Sequence, residues 1–342
     1  MSALIVGPAF FNYNEAIGSA LQKAGYRVRI VGSPVHNPSG LWNRVSIDFA
    51  GKFGIVAFRK AWRRRFNRLI CSTDHDMRPD LMLVIKGDWL DPLVYEACTA
   101  ARKVIWFQDA AYRCGPDHLR LAQLADAVFV FESTDIDYFA KAGIDRGKLR
   151  FLPMGYDDTV YKPLDMKREI DVSFVGKMYP QRKALLADLV RDLPGVRFEV
   201  WGRFVRYQEP RTWWEWVRVR SDARLRRIYR NRDIPPQRVN LLYNQSKIVL
   251  NMHHDQSRDG CNPRVFEIAG SGAFQICDDN GFVRTQVSDA IVQFQNYDDL
   301  IEKIEAYLRD DAGRERLSQA SLSAMKAHTF AHRIDQMLSM VA

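Results

Sequence analysis

The stretch KIVLNMHHDQSRDGCNPRVFEIAGSGAFQIC, residues 247–277, joins two apolar runs through a loop rich in polar residues and glycine. KIVLNM (247–252) and AFQIC (273–277) each have the length and composition of a buried β-strand. A helical segment separates them, and alternation of strand, helix and strand is typical of a parallel sheet. The stretch therefore predicts one unit of an α/β protein.

The helix of this unit is marked at both ends. Asn262 suits the N-cap position and Pro263 suits the first turn, so a helix is predicted at 263–270, with Gly270 or Gly272 as its stop. The N–H groups of its first turn would point into the crevice at the ends of the strands. Such a helix terminus suits a diphosphate.

Two acids bracket the start of this helix. Glu267 is predicted one turn inside it, where a carboxylate can accept two hydrogen bonds from a ribose diol. Asp259, in the loop, can accept hydrogen bonds from the hydroxyls of a sugar, and Gly260 has no side chain to obstruct the phosphates. Because about five acid pairs with this spacing arise by chance in such a sequence, the prediction depends on the surrounding strand, loop and helix.

A second group of candidate residues lies in FVGKMYPQRKALLADL, residues 174–189. A strand is predicted to end at Gly176, Lys177 follows it, and Lys183 stands at the start of a helix. Two cations at a strand end and a helix N-terminus can both reach one phosphate group. The alternative is that both are ordinary exposed lysines.

The same alternation of strands and helices extends over the whole chain. Further strands are predicted at 3–7, 26–32, 81–87, 103–109, 127–133, 149–155, 171–176, 196–202 and 290–294. Helices are predicted near 14–24, 91–101, 118–125, 134–142, 182–192, 297–309, 313–328 and 330–341. The pattern breaks near residue 165 and restarts, which predicts two doubly wound, Rossmann-like α/β domains.

Composition limits the class of protein. The 342 residues carry a formal net charge of +9, which favours anionic partners such as nucleotides, nucleic acid or a phospholipid surface. The five cysteines form no CxxC pair, so neither a zinc ribbon nor a disulfide scaffold is indicated. No signal peptide and no uncharged 18-residue apolar run is found. These features predict a cytoplasmic protein.

Two basic segments lie outside the repeated pattern, at 58–69 and 203–233. Each combines arginines with aromatic residues, as interfacial helices and nucleic-acid surfaces do. The alternative for each is a packed helix with a solvated basic face.

Short acidic patterns raise the question of a metal. Asp74 and Asp76 form one D-x-D pair, and Asp135 and Asp137 form another. The first is predicted in a polar loop and the second in the first turn of a helix, where acids are favoured in any case. The run 253–255 (HHD) is predicted to pack near the site, and no metal site is predicted.

The motifs taken together resemble those of the GT-B fold glycosyltransferases, family 4 in the broad sense, and most closely the CgeB-like (spore maturation) branch. The resemblance rests on DVSFVGKMYPQRKALLADL, KIVLNMHHD, NPRVFEIAGSGAFQICDD and HTFAHRIDQML. It covers most of 145–340 and, more loosely, the first half. It implies an acceptor-side domain at 1–165, a donor domain at 166–328 and a helix at 329–342 that packs back toward the N-terminal domain.

The resemblance also implies roles for individual residues. Lys177 and Lys183 match the basic pair that holds the donor diphosphate, and Arg264 adds charge there or orients Glu267. Asp259 stands where the family has its first glutamate, which contacts the donor sugar, and Glu267 matches the second, which binds the ribose. In the first domain, Asp109 stands at about the place of a histidine that many members use.

The resulting expectation is a retaining, metal-independent glycosyltransferase of the hexosyltransferase type that needs no cofactor besides its nucleoside diphosphate sugar. A lipid-linked or surface glycan is the expected acceptor, with peripheral contact to the anionic inner face of the membrane through the two basic segments. Three alternatives stay open: a DNA-modifying glycosyltransferase, a catalytically inactive nucleotide-sugar-binding protein of the same fold, and a sugar-nucleotide epimerase.

Overall fold

The computed structural model describes residues 1–8, 12–33, 56–202, 223–253, 257 and 259–341. The chain divides into two compact units. The first unit comprises 1–154, 256–260 and 329–342, and the second unit comprises 155–255 and 261–328. The division that the resemblance implies differs from these bounds in two places. Residues 155–165 group with the second unit, and 256–260 group with the first.

The first unit is built on a parallel sheet with the strand order β2-β1-β3-β4-β5-β6. Its strands are β1 (Ser2–Pro8), β2 (Arg27–Ser33), β3 (Leu81–Ile85), β4 (Arg102–Phe107), β5 (Ala127–Val130) and β6 (Leu149–Phe151). Every residue of β1, β3 and β5 is buried, as expected of parallel strands that are covered on both faces. Strand β2 lies at the edge and carries exposed arginines.

Helices follow the strands of the first unit. They are α1 (Tyr13–Lys23), α2 (Val56–Met77), α3 (Pro92–Ala97), α4 (Pro116–Leu124), α5 (Asp135–Lys141) and α12 (Phe330–Val341). Helix α2 is longer than the predicted basic segment at 58–69 and includes Asp74, which was predicted in a loop. The prediction of a loop at Asp74 was wrong. A polar residue was taken to be exposed, but this carboxylate is buried and accepts hydrogen bonds from Thr99 N and Oγ1, at 2.7 and 3.0 Å.

The second unit has a parallel sheet with the order β12-β11-β10-β7-β8-β9. Its strands are β7 (Ile170–Val175), β8 (Phe198–Trp201), β9 (Tyr229–Arg230), β10 (Ser246–Asn251), β11 (Gln275–Asp278) and β12 (Val292–Phe294). Its helices are α6 (Pro180–Asp192), α7 (Ala223–Ile228), α8 (Pro236–Asn244), α9 (Pro263–Gly270), α10 (Tyr297–Arg309) and α11 (Asp311–Ala324). The central strands β7 and β10 are adjacent and parallel.

The expectation of an α/β protein with two doubly wound sheets is confirmed. The basic segment at 203–233 can be followed only in part, because 203–222 lies outside the described residues. Among the residues that the structure describes, no helix combines the length and apolar character that a membrane span requires.

Candidate functional site

The strand order of the second unit places a crevice at the carboxyl ends of β7 and β10. The chain leaves β7 toward β8 on one side of the sheet, whereas β10 and β11 extend the sheet on the other side. Ligands of doubly wound sheets bind at such a switch point, beyond the carboxyl ends of the strands. The residues after β7 and after β10 are therefore the first to consider as a binding site.

The loop after β7 is held in place by a close backbone approach. Gly202, at the end of β8, has φ +145°, and a Cβ atom there would lie 1.9 Å from the carbonyl oxygen of Gly176. A Cβ on Gly176 itself would lie 3.0 Å from the ring of Phe174 and 3.5 Å from Cζ of Arg264. The predicted site residues Gly176 and Arg264 are thus brought together.

Arg182 fixes this loop to the end of β10. Its side chain is buried and donates hydrogen bonds to the carbonyl oxygens of Lys177, at 2.9 Å, and Met252. Its guanidinium group also lies over the rings of Phe174 and Tyr179. The sequence interpretation missed Arg182, although its spacing from Leu186 and Leu189 places it on the buried face of α6.

The two predicted diphosphate lysines differ in their surroundings. Lys177 is exposed, and its Nζ lies 5.1 Å from the centre of the Tyr179 ring. Lys183 is half-buried in the first turn of α6, where its backbone N–H donates to the Tyr179 carbonyl. Both stand at the carboxyl edge of the sheet, as predicted, one at the end of β7 and the other at the start of α6.

The helix after β10 begins at Pro263, as predicted, with Asn262 at the N-cap position. The predicted N-cap position of Asn262 is confirmed, but its side chain makes no capping hydrogen bond. Its Nδ2 instead donates to Oδ1 of Asn251, at 3.0 Å, and to the Met252 carbonyl, at 3.3 Å, because these acceptors lie directly beside it at the end of β10. The first turn of α9 therefore has no side-chain cap, and Asn262 ties the helix to the strand.

Arg264 and Glu267 lie on α9, with Glu267 buried one turn inside the helix. Both residues affect the pKa of the buried phenol of Tyr243. Burial raises the pKa of Tyr243 well above its usual range, the Glu267 carboxylate raises it further, and Arg264 opposes the shift. Both charged groups of α9 therefore lie close enough to Tyr243 to affect it, and Arg264 also lies beside Gly176.

Asp259 and Gly260 belong to the first unit. The backbone N–H of Asp259 donates to Oε2 of the buried Glu132 at 2.6 Å, while the Asp259 side chain is exposed. A Cβ on Gly260 would lie 2.6 Å from the Phe131 carbonyl oxygen and 2.8 Å from Oε1 of Glu132. The lack of a side chain at Gly260 is thus required by packing, and its proposed place beside the phosphates stays a prediction.

Asp109 follows β4 in the first unit and forms an ion pair with Lys86, which follows β3 and has φ +64°. His118 shares a small pocket with them. Its Nε2 lies 3.2 Å from Oδ1 of Asp88, and its Nδ1 accepts a hydrogen bond from Gly115 N at 3.2 Å. Sequence reasoning looked for a histidine directly after β4 and missed His118 in the next helix.

Cys114 lies in the same pocket of the first unit. Burial raises the pKa of its thiol to about 12, and the carboxylates of Asp135, Asp109 and Asp88 add to the shift. The thiol is protonated at neutral pH and is therefore a poor nucleophile.

Both D-x-D pairs serve the structure of the first unit. Asp135 accepts a hydrogen bond from Ala111 N at 3.0 Å, and Asp137 pairs with Arg146 at 2.7 Å. The Asp74 carboxylate accepts hydrogen bonds from Thr99, as described above. Within the described ranges of the chain, no three His, Cys, Asp or Glu side chains form a group that could hold a metal ion.

His253 pairs with Asp278, which ends β11. Both the backbone N–H and Nδ1 of His253 lie 2.8 Å from Oδ1 of Asp278. Burial disfavours the charged form of Asp278, but the hydrogen bonds from His253 outweigh it and hold the pKa of this carboxyl below its usual range. The pair ties His253 to the end of β11, and the rest of the run 253–255, which was predicted to pack near the site, lies outside the described residues.

Comparison with known proteins agrees with this architecture. Residues 181–339 match the family model described as glycosyl transferase-like. No curated protein sequence matches the chain.

Similar solved structures include sucrose-phosphate synthase from Thermosynechococcus elongatus, with a TM-score of 0.70 at 11% identity over 100% of this chain and 99% of that one. Anabaena HepE, solved in complex with UDP and glucose, gives a TM-score of 0.68 at 13% identity over 100% and 99% of the two chains. The α,α-trehalose 6-phosphate synthase from Burkholderia multivorans gives 0.64 at 15% identity over 100% and 96%. The chain therefore has a GT-B-like glycosyltransferase fold, and the predicted fold class is confirmed.

Proposed function

We propose that this protein is a retaining, metal-independent glycosyltransferase that moves a sugar, of the hexosyl type, from a nucleoside diphosphate sugar to a glycan acceptor. One observation supports the proposal: a glycine loop, a helix N-terminus and charged side chains occur at the switch point of the second unit. These groups are the Gly176–Lys177 loop, the N-terminus of α9, Arg264 and the buried Glu267.

The donor is the best supported part of the proposal. Cations and a helix N-terminus at a strand end suit a diphosphate. A buried carboxylate one turn inside the same helix suits a ribose diol, which is the role proposed for Glu267. HepE, which shares the fold, has been solved with UDP-glucose. A UDP-sugar is accordingly the first donor to test.

The proposed reaction exchanges one bond at the anomeric carbon for another and is promoted by stabilising the charge of the leaving diphosphate. The bond from the anomeric carbon to the diphosphate oxygen breaks, and a bond from that carbon to the acceptor oxygen forms on the same face of the sugar. The acceptor proton passes to an oxygen of the departing diphosphate. Lys177, Lys183 and the N-terminus of α9 stabilise the negative charge that develops on the diphosphate. Asp259 is proposed to hold hydroxyls of the transferred sugar.

The acceptor side is assigned to the first unit. Asp109, oriented by Lys86, is proposed to accept a hydrogen bond from the acceptor or the transferred sugar. His118 lies in the same pocket and is a second candidate for this role. Whether Asp109 takes the place of the family's histidine can be tested by comparing Asp109→Asn with His118→Gln, because only the residue that touches the reacting groups should lower kcat strongly.

The exposed face of α2 supports a membrane-bound acceptor. Arg64, Arg65, Arg68 and Leu69 are exposed, and Arg65 lies over the ring of Trp62. Basic side chains beside a half-buried tryptophan suit the interface of an anionic membrane. A lipid-linked glycan would present its sugar at such an interface, and the protein would act at the cytoplasmic face. The CgeB-like branch and a role in polysaccharide biosynthesis belong to the same proposal.

The donor and the stereochemistry can be tested together. The protein is incubated with UDP-, GDP-, ADP- and dTDP-sugars, and release of the nucleoside diphosphate is followed by NMR. We expect turnover of one class of donor without added metal and in the presence of EDTA, and a product with the anomeric configuration of the donor. Inversion, loss of activity in EDTA, or absence of turnover with every donor would contradict the proposal.

The proposed contact with an anionic membrane can be tested with phospholipid vesicles. The protein should bind vesicles that contain anionic phospholipid more tightly than neutral ones, and an Arg64→Gln/Arg65→Gln/Arg68→Gln variant should lose the difference, because each basic residue near such a surface contributes about 1 kcal/mol. Tight, salt-sensitive binding of duplex DNA without vesicle binding would favour the DNA-modifying alternative.

A further inference from the structure

A second cavity lies beside the candidate donor site in the second unit. It has a volume of about 210 Å³ and opens where β10, β11 and β12 end and α6 begins. Its lining includes Tyr179, Arg182, Leu185, His253, Asp278 and Phe294. Neither Lys177, Lys183 nor Glu267 lines it, so the roles proposed above leave the cavity unused.

The polar wall of the cavity is the His253–Asp278 pair. The His253 side chain is 4% exposed and the Asp278 side chain is 36% exposed. Nδ1 of His253 lies 2.8 Å from Oδ1 of Asp278, and a carboxylate oxygen can only accept, so Nδ1 is the donor; in the neutral imidazole Nε2 is then a hydrogen-bond acceptor. Within the part of the chain that the structure describes, Nε2 has no hydrogen-bond partner, and a buried polar atom in that state favours a ligand.

The His253–Asp278 pair therefore presents hydrogen-bond acceptors to the cavity. Nε2 of His253 accepts in the neutral ring, and Oδ2 of Asp278 accepts as well, since both hydrogen bonds from His253 reach Oδ1. A complementary ligand must supply several hydrogen-bond donors close together. Neighbouring hydroxyl groups of a sugar do this, whereas uracil and thymine present one N–H between two carbonyl oxygens, which the carboxylate would repel.

The remaining walls and the size point to the same chemistry. Tyr179, Phe294 and Leu185 give an apolar surface for the C–H face of a ring. A cavity of roughly 150 Å³ holds a benzene ring, while pockets for drug-sized ligands begin at about 300 Å³. At about 210 Å³ the cavity fits one six-membered sugar ring and is too small for a whole nucleotide sugar.

We propose that this cavity is a monosaccharide subsite in which Asp278 and His253 accept hydrogen bonds from neighbouring hydroxyl groups of a pyranose. The sugar has two possible sources, the transferred sugar of the donor or one unit of a glycan. Only the choice between these sources rests on the proposed function. The subsite itself rests on the geometry of the cavity.

Binding is tested on the full chain with methyl glycosides of glucose, galactose, mannose and N-acetylglucosamine, detected by saturation-transfer NMR. We expect signal from at least one glycoside. Asp278→Asn and His253→Phe should each weaken binding at least about tenfold, because a hydrogen bond to a charged group is lost in one and an acceptor in the other. Asp279→Asn is the matched control, since Asp279 is the next residue and pairs with Arg284 on the surface.

Three results would contradict the proposed subsite. They are no signal from any glycoside, equal signals from the wild type and both pocket variants, or a loss of binding in Asp279→Asn as large as that in the pocket variants. If Asp278→Asn does not fold, as judged by circular dichroism, His253→Phe decides alone.

The source is assigned by competition. Displacement of the glycoside by the donor sugar nucleotide but not by its nucleoside diphosphate identifies the donor sugar, and persistence of the signal in both cases identifies a glycan unit. If the nucleoside diphosphate, which carries no sugar, displaces the glycoside, the cavity is a nucleotide pocket and the proposal is contradicted. A glycoside signal without any donor turnover would leave the subsite standing and reject the proposed function.

Discussion

At the scale of the residue, Gly202 determines the shape of the donor loop. Its φ of +145° is rarely adopted by other residues, and a methyl group there would lie 1.9 Å from the Gly176 carbonyl oxygen, well inside contact distance. The strand prediction at 196–202 ended at this glycine. The sequence could not show which distant backbone group lies against it.

The change Gly202→Ala is expected to lower the free energy of unfolding by at least about 1–3 kcal/mol, the usual cost of a strained backbone conformation. It should also weaken donor binding, because the loop that carries Lys177 must move. Denaturant unfolding and donor titration measure the two effects. Gly195→Ala is the control, since a Cβ there meets no atom within 4 Å. Equal stability of the two variants would contradict the geometry described for this loop.

Residues with long-range partners were the ones that sequence reasoning misjudged. Lys177 and Lys183 could be selected because charge after a strand and at a helix start is visible in the sequence. The roles of Arg182 and His253 depend on Met252 and Asp278, which are 70 and 25 residues away. No local pattern encodes those distances.

At the scale of the element, α9 and α8 show which helices the sequence could and could not reveal. Helix α9 has the predicted bounds because proline and glycine mark its ends. Helix α8 was missed. Its buried face contains Asn240 and Asn244, whose amides bond to the backbone of Lys162, so its apolar pattern is interrupted.

Arg182 connects two elements, α6 and the end of β10. The change Arg182→Met should lower the free energy of unfolding by about 1.5–3 kcal/mol, since hydrogen bonds from a charged group to two carbonyls are lost. Arg191→Met, on the same helix but exposed, should leave stability unchanged. Denaturant unfolding of both variants measures the difference, and similar stabilities would show that Arg182 does not hold these elements together.

At the scale of the whole molecule, the order of strands and helices predicted two parallel sheets, whereas the return of the last helix to the first unit was implied only by the resemblance. Helix α12 groups with the first unit and packs on α1. Phe330 lies against Tyr13 and Trp106, with ring centres 5.5 and 6.4 Å apart. A helix from residue 330 thus completes a core that begins near residue 13.

Removing the Phe330 ring should therefore destabilise the first unit. Phe330→Ala is expected to cost about 3–5 kcal/mol, because a buried aromatic side chain is replaced by a cavity. Met340→Ala, on the same helix and 44% exposed, should cost little. Hydrogen exchange resolves the effect by region: faster exchange in α1 and α12 is expected, and unchanged exchange there would contradict the packing.

The central claim is that the carboxyl edge of the second sheet binds and activates a nucleotide sugar. Its most direct test is the rate of donor turnover in Lys183→Ala compared with Lys167→Ala, an exposed lysine that precedes β7 at the opposite edge of the sheet. Loss of one preorganised charge that stabilises the leaving diphosphate should lower kcat by about 10²–10³ in Lys183→Ala. Lys167→Ala should match the wild type. Equal rates in all three proteins would contradict the account.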